Sequence, residues 1–81
     1  MRVRVKKVME GPGPSEAVVM IKTASDREEE VVVHTNQIKD DTLKVWAVGG
    51  KDGSVLIELP QESSSGNWRL WVKDREVAQR E

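Results

Sequence analysis

The sequence contains no cysteine, phenylalanine or tyrosine, and it has only one histidine, His34. Without cysteine the chain cannot form disulfides, thiolate metal sites or thiol nucleophiles, which is typical of proteins from reducing compartments. We therefore predict a cytoplasmic protein with no metal site and no cofactor. A single imidazole leaves only carboxylate or lysine side chains for acid–base chemistry, and no motif pairs them. We predict that the protein is not an enzyme.

Long hydrophobic runs are also missing. No apolar stretch approaches the roughly 18 residues that a membrane span requires, so we expect no association with membranes. The basic N-terminal segment 1–10 lacks the apolar stretch of a secretory signal. The glycine-containing segments 11–14 and 49–54 lack the order of phosphate-binding loops and are explained by turn chemistry. No internal repeat is apparent.

The composition is typical of one small folded domain. The 81 residues are 37% hydrophobic and 33% charged, with a formal net charge of −1. This length supports a single core, so we predict one domain over residues 1–81, ending in a polar C-terminal tail at 73–81. The basic residues at the N terminus contrast with residues 16–41, which hold seven acids against three bases.

Alternating apolar and polar residues, rich in valine, recur in short segments between turn-forming residues. This pattern predicts an all-β fold with a five- or six-stranded antiparallel meander. The meander would close into a small barrel of the SH3-like or OB-like type, or fold as a two-layer sandwich. Asp74 could cap a short C-terminal helical turn, or the tail could fray. The predicted strands are 2–8, 16–23, 29–35, 42–48, 54–60 and 67–73.

Two details of these strands can be predicted. Residues 16–23 are apolar on both faces, which favours a central position in a sheet. The alternation in the first strand breaks at Lys6 and Lys7, where a bulge would return Val8 to the apolar side.

The three tryptophans supply all of the aromatic area. In strand 42–48, Leu43, Val45 and Ala47 share one face and leave Trp46 on the other. In strand 67–73, Trp68, Leu70 and Val72 share one face and leave Trp71 on the other. If these apolar triads face the core, Trp46 and Trp71 point away from it and Trp68 is a core residue. Alternatively, the N-terminal strand, the 10–16 loop or the tail buries both indoles, and Arg69 stacks on one of them.

Exposed tryptophans beside basic residues are typical of binding surfaces. We predict a non-catalytic binding or structural protein that forms a homo-oligomer or docks on a protein partner. Alternatively, a small β-barrel could bind nucleic acid by stacking bases on the indoles. The candidate binding surface comprises Lys44, Trp46, Leu56, Arg69, Trp71 and Lys73, and the candidate phosphate contacts are Arg2, Arg4, Lys6 and Lys7.

Overall fold

The computed structural model describes residues 1–80, and they form ten short β-strands and two single-turn 3₁₀ helices. The predicted all-β class is therefore confirmed. The strands are β1 (Arg2–Arg4), β2 (Lys6–Glu10), β3 (Glu16–Lys22), β4 (Glu28–His34), β5 (Ile38–Lys39), β6 (Thr42–Lys44), β7 (Trp46–Lys51), β8 (Ser54–Glu58), β9 (Arg69–Lys73) and β10 (Val77–Gln79). The 3₁₀ turns are Thr35–Gln37 and Asp74–Glu76.

The strands form three antiparallel sheets. Sheet A has the order β10-β1-β6-β5, sheet B the order β2-β3-β4 and sheet C the order β7-β8-β9. This arrangement confirms the central position predicted for residues 16–23, because β3 (Glu16–Lys22) lies between β2 and β4. It does not confirm the expected five or six strands or a closed barrel. The count differs for two reasons: bends at Val5 and Val45 each divide one predicted strand between sheet A and another sheet, and β5 and β10 are two short strands that the alternation did not predict.

Residues 2–39 and 42–79 build the same arrangement, so the chain does contain an internal repeat. Each repeat runs through a bent strand, two further strands, a 3₁₀ turn and a short final strand. The final strand of each repeat pairs with the first strand of the other, β5 with β6 and β10 with β1. The two repeats are therefore related by an approximate two-fold axis.

Backbone hydrogen bonds repeat in the same way. The Val5 N–H donates to the carbonyl of Asp41, and the Val45 N–H donates to the carbonyl of Met1, both at 2.9 Å. Strands β1 and β6 pair around the axis, with Val3 opposite Leu43. Met1 thus occupies the position in one repeat that Asp41 occupies in the other.

The repeat is hidden in the sequence for two reasons. Equivalent positions share apolar character more often than residue type, and their spacing varies with loop length. Val3 and Leu43 are 40 residues apart, whereas the equivalent pairing positions Val19 and Ile57 are 38 apart. A search for a fixed period in the sequence therefore fails.

One core lies between the three sheets. Both repeats contribute to a single cluster of buried side chains, most of which are fully inaccessible. Full burial of each such side chain stabilises the fold by roughly 1.5–3 kcal/mol. The cluster comprises Val3, Val19, Ile21, Val31, Val33, Leu43, Val45, Val55, Ile57, Leu59, Leu70 and Val72.

Three local expectations are corrected by the structure. The tail does not form two helical turns or fray before Gln79, because Asp74–Glu76 is one 3₁₀ turn and Val77–Gln79 pairs with β1. The first strand does contain a bulge, but it lies between Lys7 and Met9 and not at Lys6 and Lys7, and it leaves Val8 exposed at the sheet edge. Ala47 is also exposed, because β7 is an edge strand whose residues are all exposed.

The repeat predicts that the chain tolerates circular permutation. We consider a variant that opens between Asp40 and Asp41, with a short glycine–serine linker joining the C terminus to Met1. It should unfold cooperatively with a free energy of unfolding within about 1–2 kcal/mol of the natural chain, because it exchanges one surface turn for another. Chemical denaturation followed by circular dichroism measures this difference. A control opened between Val19 and Met20 interrupts central strand β3 and should not fold; loss of folding in both would contradict the two-fold arrangement.

Candidate functional site

The outer face of sheet C carries two exposed indoles. Alternation along β8 and β9 directs Val55, Ile57, Leu70 and Val72 into the core, so the intervening residues point outward. Cross-strand pairing aligns Trp46 with Glu58 and Arg69 in one row, and Leu56 with Trp71 in the next. We call this surface the tryptophan face, comprising Trp46, Leu56, Glu58, Arg69, Trp71 and Lys73.

Both indoles of the tryptophan face are accessible to solvent. Trp46 is 49% exposed and Trp71 is 39% exposed, while Leu56 is half-buried and lies opposite Trp71. Neither the N-terminal strand nor the described part of the tail covers them. The face therefore presents apolar area together with charged groups, which is a composition typical of interface hot spots.

Each cation beside Trp71 on β9 has a carboxylate partner. An Arg69 Nη2 lies 3.1 Å from Glu58 Oε1, and Lys73 Nζ donates to Asp26 Oδ1 at 3.1 Å. This hydrogen bond and the charge of Lys73, with a smaller contribution from Lys22, hold the pKa of Asp26 below its ordinary value of 3.8. Asp26 is therefore ionised at neutral pH, and the face carries charges of both signs.

Trp71 lines two shallow grooves of about 310 and 320 Å³. The turn between β3 and β4 lines both grooves, because the Ala24 N–H donates to the Trp71 carbonyl at 2.7 Å. This contact occupies part of the free edge of β9. The opposite edge of sheet C, strand β7, is exposed along its whole length.

No family model, curated protein or solved structure matches this chain. The inference about function is therefore based on the exposed surfaces of the protein. Within residues 1–80 there is no helix long and apolar enough to cross a membrane. The same residues contain no group of three or more histidine or carboxylate side chains arranged to hold a metal ion.

The structure separates Lys44 from the other predicted surface residues. Lys44 lies on β6 in sheet A, where it pairs with Arg2, whereas the other five residues share the outer face of sheet C. The alternation that places Trp46 outward also places Lys44 outward. The bend at Val45 moves the two residues onto different sheets, and nothing in the local sequence signals this bend.

The four candidate phosphate contacts lie on β1 and β2, away from the tryptophan face. Lys7 is ion-paired with Glu10 at 2.9 Å. Arg2 is half-buried and donates hydrogen bonds to Thr42 and to the Gln37 carbonyl, while Arg4 and Lys6 are exposed and line one shallow groove.

The 61–67 loop, although polar, is attached to sheet B. Ser65 Oγ donates to Glu29 Oε1 at 2.6 Å, and the Ser64 N–H donates to the Glu30 carbonyl at 2.8 Å. The Ser65 hydrogen bond is the main cause of a lowered pKa of Glu29, assisted by Ser63 and Asn67 and opposed by partial burial. Asp26 and Glu29, the two carboxylates with a lowered pKa, thus each accept a hydrogen bond that joins a loop to a strand.

Trp68 is an exposed residue that the sequence pattern assigns wrongly to the core. Its side chain is 51% exposed, the largest value among the three indoles. It precedes β9, which begins at Arg69, and its carbonyl accepts a hydrogen bond from the Leu59 N–H at 2.8 Å. Alternation predicts the direction of a side chain only within a strand, and Trp68 lies outside β9. The turn at Gly66, with φ of 88°, lies just before the start of this strand.

These positions predict opposite effects of two neighbouring truncations. Trp68→Ala should lower the free energy of unfolding by less than about 1 kcal/mol, because the indole is largely solvated. Leu70→Ala should lower it by about 2–5 kcal/mol, because Leu70 is a core residue. Urea denaturation of both variants gives the comparison. A larger loss in Trp68→Ala than in Leu70→Ala would contradict the described orientation of β9.

Proposed function

We propose that this protein is a non-catalytic binding module that docks on protein surfaces through the tryptophan face, with a second copy of the chain as the favoured partner. The observation that carries this proposal is a difference between the two repeats. Their buried residues are equivalent in position and character, but their outer faces are not. The first repeat builds the same three-stranded sheet without any tryptophan.

Cross-strand pairing identifies the equivalent positions. Lys6 in sheet B corresponds to Trp46, and Val32 corresponds to Trp71. A sheet of this design therefore forms with a lysine and a valine in the two places. The fold does not require an indole at either position, which supports a role in binding for both.

The energetics of tryptophan favour a protein partner. An indole buries about 150–250 Å² when it enters an interface, and it loses little conformational freedom because it has only two side-chain torsions. Trp46, Trp71 and the intervening Leu56 form the apolar centre of the face. The charged groups lie beside this centre, as the polar rim of a typical interface does.

The charges of the face favour a second copy of the chain. Arg69 and Glu58 already lie within 3.1 Å of each other on one copy. In a symmetric contact the same surface is used twice, so each cation can meet the other copy's carboxylate. Opposite charges on one self-complementary surface are suited to such a two-fold contact.

The proposal predicts that one indole controls the molecular mass. Light scattering coupled to size exclusion should give a mass near twice 9.1 kDa for the natural chain at high protein concentration. Trp71→Ala should remain folded and reduce this mass to that of the monomer, because it removes the centre of the interface.

Trp68→Ala provides a matched control, because it removes an equally large exposed indole outside the face. This variant should associate like the natural chain. A natural chain that is monomeric at every accessible concentration would exclude self-association. An equal loss of association in both variants would show that general hydrophobicity, not the tryptophan face, drives the contact.

A further inference from the structure

The outer face of sheet A is strongly basic. Val3 and Leu43 point into the core, so their neighbours on β1 and β6 point outward. Pairing places Arg2 beside Lys44, and it places Thr42 between Arg4 and Lys39. We call this surface the basic face; it comprises Arg2, Arg4, Lys39 and Lys44. At its border Lys6 and Arg4 line a groove to which Glu28 and Glu76 also contribute.

Within residues 1–80, no cation of this face forms an ion pair with a carboxylate. Six of the thirteen lysine and arginine side chains form ion pairs with carboxylates of the described chain. Five of the other seven are the four residues of the basic face and Lys6. The two remaining cations, Arg27 and Lys51, lie elsewhere.

Arg2 is fixed in place by neutral acceptors. Its Nε donates to Thr42 Oγ1 at 2.8 Å, and its Nη2 donates to the carbonyls of Gln37 at 2.8 Å and Thr42 at 3.1 Å. These contacts orient the guanidinium without compensating its charge. A pre-positioned, uncompensated cation at the middle of a basic surface is suited to binding an anion.

The basic face has none of the apolar side chains that the tryptophan face presents. The outward residues of β1, β5 and β6 are the four cations and Thr42. A groove of about 280 Å³ crosses the face beside Arg2, Lys39, Thr42 and Gln79, with Asp40 as the acidic residue that lines it. Insertion into a bilayer or packing against an apolar protein surface would have nothing to bury here.

We propose that the basic face binds the phosphate backbone of single-stranded nucleic acid without reading its sequence. Neutralisation of phosphates by lysine and arginine supplies this kind of binding, and it requires no aromatic contact. The site depends on the two-fold arrangement, because Arg2 and Arg4 come from the first repeat and Lys44 from the second. It is independent of the tryptophan face, which lies on sheet C.

The salt dependence of binding tests this proposal on the full chain. The probe is a labelled oligothymidine, and its dissociation constant is measured by fluorescence anisotropy over a range of salt concentrations. Each phosphate that a cation neutralises contributes about −0.7 to the slope of log affinity against log salt for a single strand. The double variant Lys39→Ala/Lys44→Ala should therefore reduce the magnitude of this slope by about 1.4, because it removes two contacts.

Matched controls separate the basic face from charge in general. Lys51→Ala and Arg27→Ala each remove an exposed cation elsewhere and should leave the slope unchanged. The single variants Lys39→Ala and Lys44→Ala should each reduce the magnitude of the slope by about 0.7, and they keep the test valid if the double variant fails to fold. An unchanged slope in a folded double variant, or an equal reduction in the controls, would overturn the proposal.

Other outcomes would assign the anion differently. Vesicles containing phosphatidylserine that bind with the same dependence on Lys39 and Lys44, without binding of the oligonucleotide, would identify a membrane ligand and overturn the proposal. Weakening of oligonucleotide binding by Trp71→Ala would place the strand on the indoles and would also overturn it. Loss of self-association in Trp71→Ala with unchanged oligonucleotide binding would leave the two proposals separately supported.

Discussion

The antiparallel pairing of β1 with β6 is the contact on which the rest of the structure depends. It is centred on Val3 and Leu43, which are both fully buried, and the two repeats meet there around the approximate two-fold axis. The final strand of each repeat, β5 or β10, pairs with the first strand of the other repeat across this axis. A unit of about 40 residues without a disulfide or a metal rarely folds alone, so the exchange of strands joins the two halves into one core.

The same pairing creates two different kinds of surface. Close to the axis it places the outward cations of β1 and β6 side by side, which concentrates positive charge on sheet A. Beyond this pairing, sheets B and C extend as two arms that contribute equivalent side chains to the single core. Their outer faces are free to differ, because no core contact constrains them. Trp46 and Trp71 occupy one such face and Lys6 and Val32 the other.

Prediction from sequence succeeds where alternation runs along an uninterrupted strand. The meander of β7, β8 and β9 and the outward direction of Trp46 and Trp71 are examples. It fails where the strand ends or bends. Trp68 precedes its strand and is exposed, and Ala47 lies on a sheet edge that no other strand covers. A period of two residues records the direction of a side chain, but it does not record whether a second layer covers that side.

The sequence by itself determined the all-β class, because β-branched residues in alternating order fit a pleated surface and turn-forming residues separate the strands. It also determined which side chains share a face within each strand. Only the tertiary structure decided which strands meet, and therefore that Lys44 belongs with Arg2 and not with Trp46. Strand pairing between residues forty positions apart depends on how the whole core packs. Local propensity describes only neighbouring residues, so it does not predict such distant contacts.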